Sequence, residues 1–187
     1  GQFEAQEKAE RVVALLSFLS LGIMFLLIYM HFGSANLALQ ALLDIPVAFV
    51  GAVIFIVATR QTVSIATLVG LVSLGGIAVR NKILLLDHYL HLMREEGESF
   101  CKEMIVRAGK ERIVPVLMTA LTSGIALVPL VLAPGQPGRE LLYPVASVIV
   151  GGLISATILD VLMTPGVFWM FGREAATRVT ATKETSQ

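Results

Sequence analysis

Residues 76–90 read GIAVRNKILLLDHYL, an apolar run with Arg80, Asn81 and Lys82 set in its middle. If this run crosses a bilayer, each charge is costly unless it reaches the interface or meets a partner. If it belongs to a water-soluble core, the same heads can simply turn to solvent. Composition decides between the two. Of the 187 residues 56% are hydrophobic and 15% charged, against about 45–50% and about 25% in soluble domains. The mean hydropathy is +0.80, which moves the chain toward the membrane class. Fourteen basic residues balance fourteen acidic ones, so no basic surface invites nucleic acid. The single cysteine, Cys101, excludes an intrachain disulfide and reads as a small apolar residue on a helix face. His31, His88 and His91 have no metal-ligand spacing. No metal site and no cofactor are expected.

Five stretches have the length and apolarity of membrane passes. Residues 12–30, VVALLSFLSLGIMFLLIYM, carry no charge and span roughly 29 Å as a helix, one hydrocarbon thickness. The second span, 37–58, is interrupted by Asp44 and Pro46. The third, 63–86, holds the opening stretch. The fourth, 113–133, has Pro115 in its first turn and Pro129 near its end, and the fifth covers 143–171. The expected fold is therefore all-α, a polytopic bundle of five transmembrane helices. The connections HFGSAN, TRQT and APGQPGRE are short and rich in turn residues. The longer connection, 91–112, contains a predicted amphipathic helix over 99–112, with Ser99 as N-cap and Phe100, Cys101, Met104, Ile105 and Ala108 on one face. Such a helix lies on the membrane surface, or is a solvated linker. Residues 173–187 read as a disordered cytoplasmic tail.

Orientation follows from lysine and arginine alone. The side holding 91–112 and the C-terminus carries Arg94, Lys102, Arg107, Lys110, Arg112, Arg173, Arg178 and Lys183. The other side carries Lys8, Arg11, Arg60 and Arg139. This bias places the C-terminus in the cytoplasm. The start, GQFEAQEKAE, has neither Met nor a signal-type core, and reads as a piece cut from something longer.

Within the spans, Gly70, Gly75 and Gly76 in the third and Gly151, Gly152, Ser155 and Ala156 in the fifth offer surfaces for close helix packing. The ionisable residues say more. Arg80 falls in the cytoplasmic half of its span, and Lys82 is placed to snorkel. Asp44 and Asp160 are acids within the second and fifth spans, and Thr119 and Thr122 lie in the fourth. Two readings stay open: a salt bridge that fixes helix register, for instance Arg80 with Asp160, or an ion or substrate pathway. An intramembrane enzyme is not expected, because Ser155 and Thr157 have no nearby histidine base.

Several stretches resemble the C-terminal membrane half of resistance–nodulation–division (RND) efflux pumps. They are GQFE before the first span, FGSANLALQALLDIPVAFVGA, VGLVSLGGIAVRNKILLLDH, RIVPVLMTALTSGIALVPLVLAPG and VIVGGLISATILDVLMTPGVFW, in that order. The likeness covers residues 1–172, and its wording is nearest to the heavy-metal efflux branch. It implies that the spans are helices 8–12 of a twelve-helix subunit, and that 91–112 is the cytoplasmic linker between helices 10 and 11. It implies further an inner-membrane homotrimer exporting substrate, metal ions or related species, by proton antiport. Such pumps work with a periplasmic adaptor and an outer-membrane channel. Substrate uptake would belong to a periplasmic porter domain, and proton passage to helix 4 acids facing a basic residue on helix 10 and polar partners on helix 11. By motif, Arg80, Asn81, Arg112 and Thr119 match those relay positions. Many drug-efflux members have lysine where Arg80 stands. Arginine is far harder to deprotonate, so the resemblance assigns Arg80 as a fixed cation that stabilises the charged helix 4 carboxylates. Lys82, Asp44, Asp87 and Asp160 match nothing in the shared pattern, although Asp160 is free to pair with Lys82 or Arg80. The rival reading within the fold is a lipid transporter or a SecD/SecF-like export component.

Overall fold

The opening stretch lies in the last half of a helix, Ile65–Arg94, that a capping box starts. Ser64 accepts from the Thr67 amide and the Thr67 hydroxyl accepts from the Ser64 amide, so two otherwise orphaned donors are satisfied. The computed structural model describes residues 2–132 and 138–184. Among them the order is α1 (Gln2–Phe32), α2 (Ala35–Leu42), α3 (Asp44–Ala58), α4 (Ile65–Arg94), α5 (Lys102–Val131), α6 (Leu142–Phe171) and α7 (Arg173–Glu184). No strand occurs among the described residues.

Five stretches are long and apolar enough to cross a membrane: Glu4–Phe32, Ala35–Ala58, Ile65–Arg94, Lys102–Val131 and Leu142–Phe171. The second is made of α2 and α3. Pro46 has no N–H for the Leu42 carbonyl and its ring crowds that carbonyl, so the first helix ends at Leu42 and a new one begins at Asp44. Pro46 then sits in the first turn of α3, where a missing N–H costs little. After α1, Gly33 takes φ +68° and its amide reaches the Tyr29 carbonyl at 2.8 Å, a helix stop that suits glycine.

Three local expectations are corrected. The amphipathic segment expected over 99–112 is not a separate surface helix, because α5 runs unbroken from Lys102 to Val131. Its N-cap is Cys101, whose Sγ accepts from the Met104 amide at 3.4 Å, two residues beyond the expected Ser99. The tail expected to be disordered forms α7 through Glu184. Its alanines favour helix, and Ala176 is fully buried against the core. Residues 185–187, and most of the connection APGQPGRE, lie outside the described residues.

Helix α6 is the hub, packing against α3, α4 and α5. Its small residues let the neighbouring backbones come close. A Cβ added at Gly51 would stand 1.9 Å from the Ser155 Cβ, and one added at Gly152 would stand 2.0 Å from Leu74 Cδ2. Neither position has room for a side chain. Toward the start of α5, Tyr89 stacks on Phe168 at 4.4 Å between centroids and Phe100 stacks on Trp169 at 5.4 Å. There Arg107 pairs with Glu96, Glu98 and Glu111, and His88 reaches Glu111 at 2.7 Å. This network is exposed and individually weak, but it ties the beginning of α5 to the end of α4.

Candidate functional site

A helix turns about 100° per residue, so Arg80 and Lys82 point to nearly opposite faces of α4. The structure separates them accordingly. Arg80 is exposed, on a stripe with Ser73, Gly76 and Leu84, and makes no ion pair among the described residues. Lys82 does not snorkel. It is 5% exposed and turns into the space between α3, α4 and α6.

There the Lys82 ammonium lies 2.7 Å from Asp44 Oδ1 and 3.0 Å from Asp160 Oδ1. It also donates to the Thr164 hydroxyl. Thr164 Oγ1 in turn donates to Asp160 Oδ1 at 2.9 Å, a contact set by their i, i+4 spacing on α6. All four residues are buried. Asp44 Oδ2 has no hydrogen-bond partner. A charge in this interior is tolerated only when paired and hydrogen-bonded; here one cation serves two carboxylates. The register bridge considered from sequence, Arg80 with Asp160, does not form: Lys82 takes that place.

A cavity of about 40 Å³ adjoins the cluster, bordered by Asn81, Tyr89, Arg112, Asp160, Val161 and Pro165 among others. It thus brings together two of the four relay residues expected from sequence, Asn81 and Arg112. Asn81 is buried and Arg112 half-buried. The other two stay apart on outward surfaces. Thr119 is exposed and its hydroxyl donates to the Val116 carbonyl at 2.9 Å, while Arg80 faces away from α6. None of the most apolar stretch of α5 is buried. Helices α4 and α5 therefore both present unpartnered faces, and Arg80 and Thr119 lie on them.

Sequence reasoning set the Lys82 cluster aside. The available signal was one lysine and two aspartates in three different spans, with a threonine one turn beyond Asp160. Among the described residues no group of three or more His, Cys, Asp or Glu is placed to hold a metal ion.

The family model described as the AcrB/AcrD/AcrF family matches residues 1–172. Protein HelA of Legionella pneumophila is 36% identical over 172 residues, 91% of this chain and 16% of its own length. The nickel-cobalt-cadmium resistance protein NccA of Alcaligenes xylosoxydans xylosoxydans is 34% identical over 170 residues, again 91% of this chain and 16% of its own. An X-ray structure of a heavy metal efflux pump superposes with a TM-score of 0.80 at 32% identity, covering 92% of this chain and 16% of that one. The chain thus spans about one-sixth of the length of these relatives.

Proposed function

The chain belongs to the AcrB/AcrD/AcrF family of RND transporters, and from that membership we propose that it is the C-terminal membrane segment, helices 8–12, of a proton-driven metal-ion exporter. In this reading the longer protein is a homotrimer of the bacterial inner membrane with its C-terminus in the cytoplasm. It works with a periplasmic adaptor and an outer-membrane channel, and a porter domain outside this segment selects the ion. The segment supplies proton coupling through Arg80, Asn81, Arg112 and Thr119.

The observation that carries the coupling role is Arg80, a cation on an open face of α4 with no ion pair among the described residues. Holding a bare cation at that depth is costly, and acids on a helix packing against this face would offset the cost. Loss of a proton from such an acid strengthens the pair and its gain weakens it, so the contact between the helices follows the proton. Arg80 itself keeps its charge throughout. The metal-ion half of the reading rests on relatives named for nickel, cobalt and cadmium resistance and for heavy metal efflux. The lipid-transporter and SecD/SecF-like alternatives draw no support from these relatives.

The test is growth of a metal-sensitive host carrying the full-length protein. Growth on cobalt, nickel, zinc or cadmium should be restored by the wild type and not by Arg80→Ala at equal expression. Rescue against none of these ions would reject metal export, and equal rescue by both proteins would reject the role of Arg80.

A further inference from the structure

We propose that Asp44, Lys82, Asp160 and Thr164 form a proton-binding site of their own, supplied through the small cavity between Asn81, Tyr89 and Arg112. The site stands apart from the relay residues on the outward faces of α4 and α5. Three observations point to it. The contact cluster is unbalanced: among the described residues Lys82 is the one cation within ion-pair distance of two buried aspartates, Arg112 bordering the neighbouring cavity without pairing with either, so with both aspartates ionised the cluster itself carries one excess negative charge. Binding one proton makes it neutral. It has an open position for that proton, because Asp44 Oδ2 is buried without a partner. The cluster meets a cavity at Asp160, which borders a space of about 40 Å³, room for a water molecule or two, and Lys82 bridges Asp160 to Asp44 behind it.

The cavity wall is mostly apolar, with Asn81, Arg112 and Asp160 as its charged or amide side chains. Pro165 has no N–H to offer the Val161 carbonyl, and both residues border the same space. The titratable or charged groups facing the site are Asp44 from α3, Lys82 and Tyr89 from α4, Arg112 from α5 and Asp160 from α6. The proton arrives from hydronium in the cavity, forms an O–H bond on a carboxylate oxygen and leaves by the same way; nothing else is made or broken. Uptake turns one of the two ion pairs into a neutral contact, so it changes how firmly α4 holds α3 or α6.

Infrared difference spectroscopy across a pH titration of the purified full-length protein tests this without a gradient or a substrate. A protein that fails to export metal therefore still tests the site. The wild type should show a carboxylic C=O band that appears and disappears as one proton. Asp44→Asn and Asp160→Asn should each remove that band, because either variant leaves one carboxylate paired one-to-one with Lys82. Thr164→Val keeps every charge and should shift the band's frequency by removing a hydrogen bond to Asp160, which tests the assignment even if an Asn variant does not accumulate. Loss of the band in both Asn variants together with its shift in Thr164→Val supports the site, and where an Asn variant does not accumulate the Thr164→Val shift decides. A wild type without such a band, a band kept in either Asn variant, or one indifferent to Thr164→Val overturns it.

Discussion

Lys82 on α4 and Asp44 on α3 hold a 2.7 Å ion pair with side chains only 6% and 7% exposed. The pair lies just past the break that Pro46 forces in the second span, so one proline places an acid where a lysine of the next helix can meet it. Asp160 completes the set from α6 at 3.0 Å. Removing the cation leaves two buried carboxylates facing each other; removing one carboxylate leaves a balanced pair. Lys82→Met should therefore destabilise the protein by about 3–5 kcal/mol, and Asp160→Asn by clearly less. Thermal unfolding in detergent with a folding-sensitive probe measures the order, and equal losses would contradict it.

Close packing of α6 makes a second prediction. At Gly152 an added Cβ would fall 2.0 Å from Leu74 Cδ2, so Gly152→Val must displace the buried Leu74 side chain at the contact of α4 with α6. Overpacking of this kind costs typically about 1–3 kcal/mol. Gly76, which has nothing within 4 Å, should accept alanine with little change. Folded yield by size-exclusion chromatography compares the two. A tolerated Gly152→Val would mean that the interface is looser than described.

Arg80 and Lys82 should respond to substitution in opposite ways. Arg80 is exposed, so Arg80→Ala should leave folding intact while abolishing export. Arg80→Lys should keep part of it, because a positive charge remains. Metal resistance scored beside protein level separates the two effects. A loss of protein in Arg80→Ala would make Arg80 a structural residue.

The span pattern was readable because apolar length is a property of sequence alone: all five stretches recur in the structure, including the interrupted second one. The continuity of α5 was less readable. Its first turns carry Lys102, Glu103, Arg107 and Lys110, which look like a surface helix until Met104, Ile105 and Ala108 are seen buried. The charged cluster was hidden for another reason. Whether Lys82 snorkels or turns inward depends on what α3 and α6 place opposite it, and pairing between helices leaves no periodic trace. The small residues of α4 and α6 were legible as packing surfaces, although Gly76 on α4 turned out to face open space.

The 187-residue chain alone should move no metal ion. The reading assigns ion selection to a porter domain and the proton-carrying acids to helix 4, and neither belongs to this segment. Proteoliposomes holding only this chain should match empty vesicles under an imposed pH gradient. Gradient-driven flux above the empty control would place selection and coupling within these five spans.

Coupling of proton movement to metal export through Arg80 is measured by recording both fluxes at once. Proteoliposomes of the full-length protein would carry a pH-sensitive dye and a metal-sensitive dye, with cobalt, nickel, zinc or cadmium supplied. Wild-type protein should move protons and metal ions in opposite directions, each flux requiring the other, and Arg80→Ala should abolish both. Metal movement that continues in Arg80→Ala, or that proceeds in the wild type without any proton flux, would contradict that coupling.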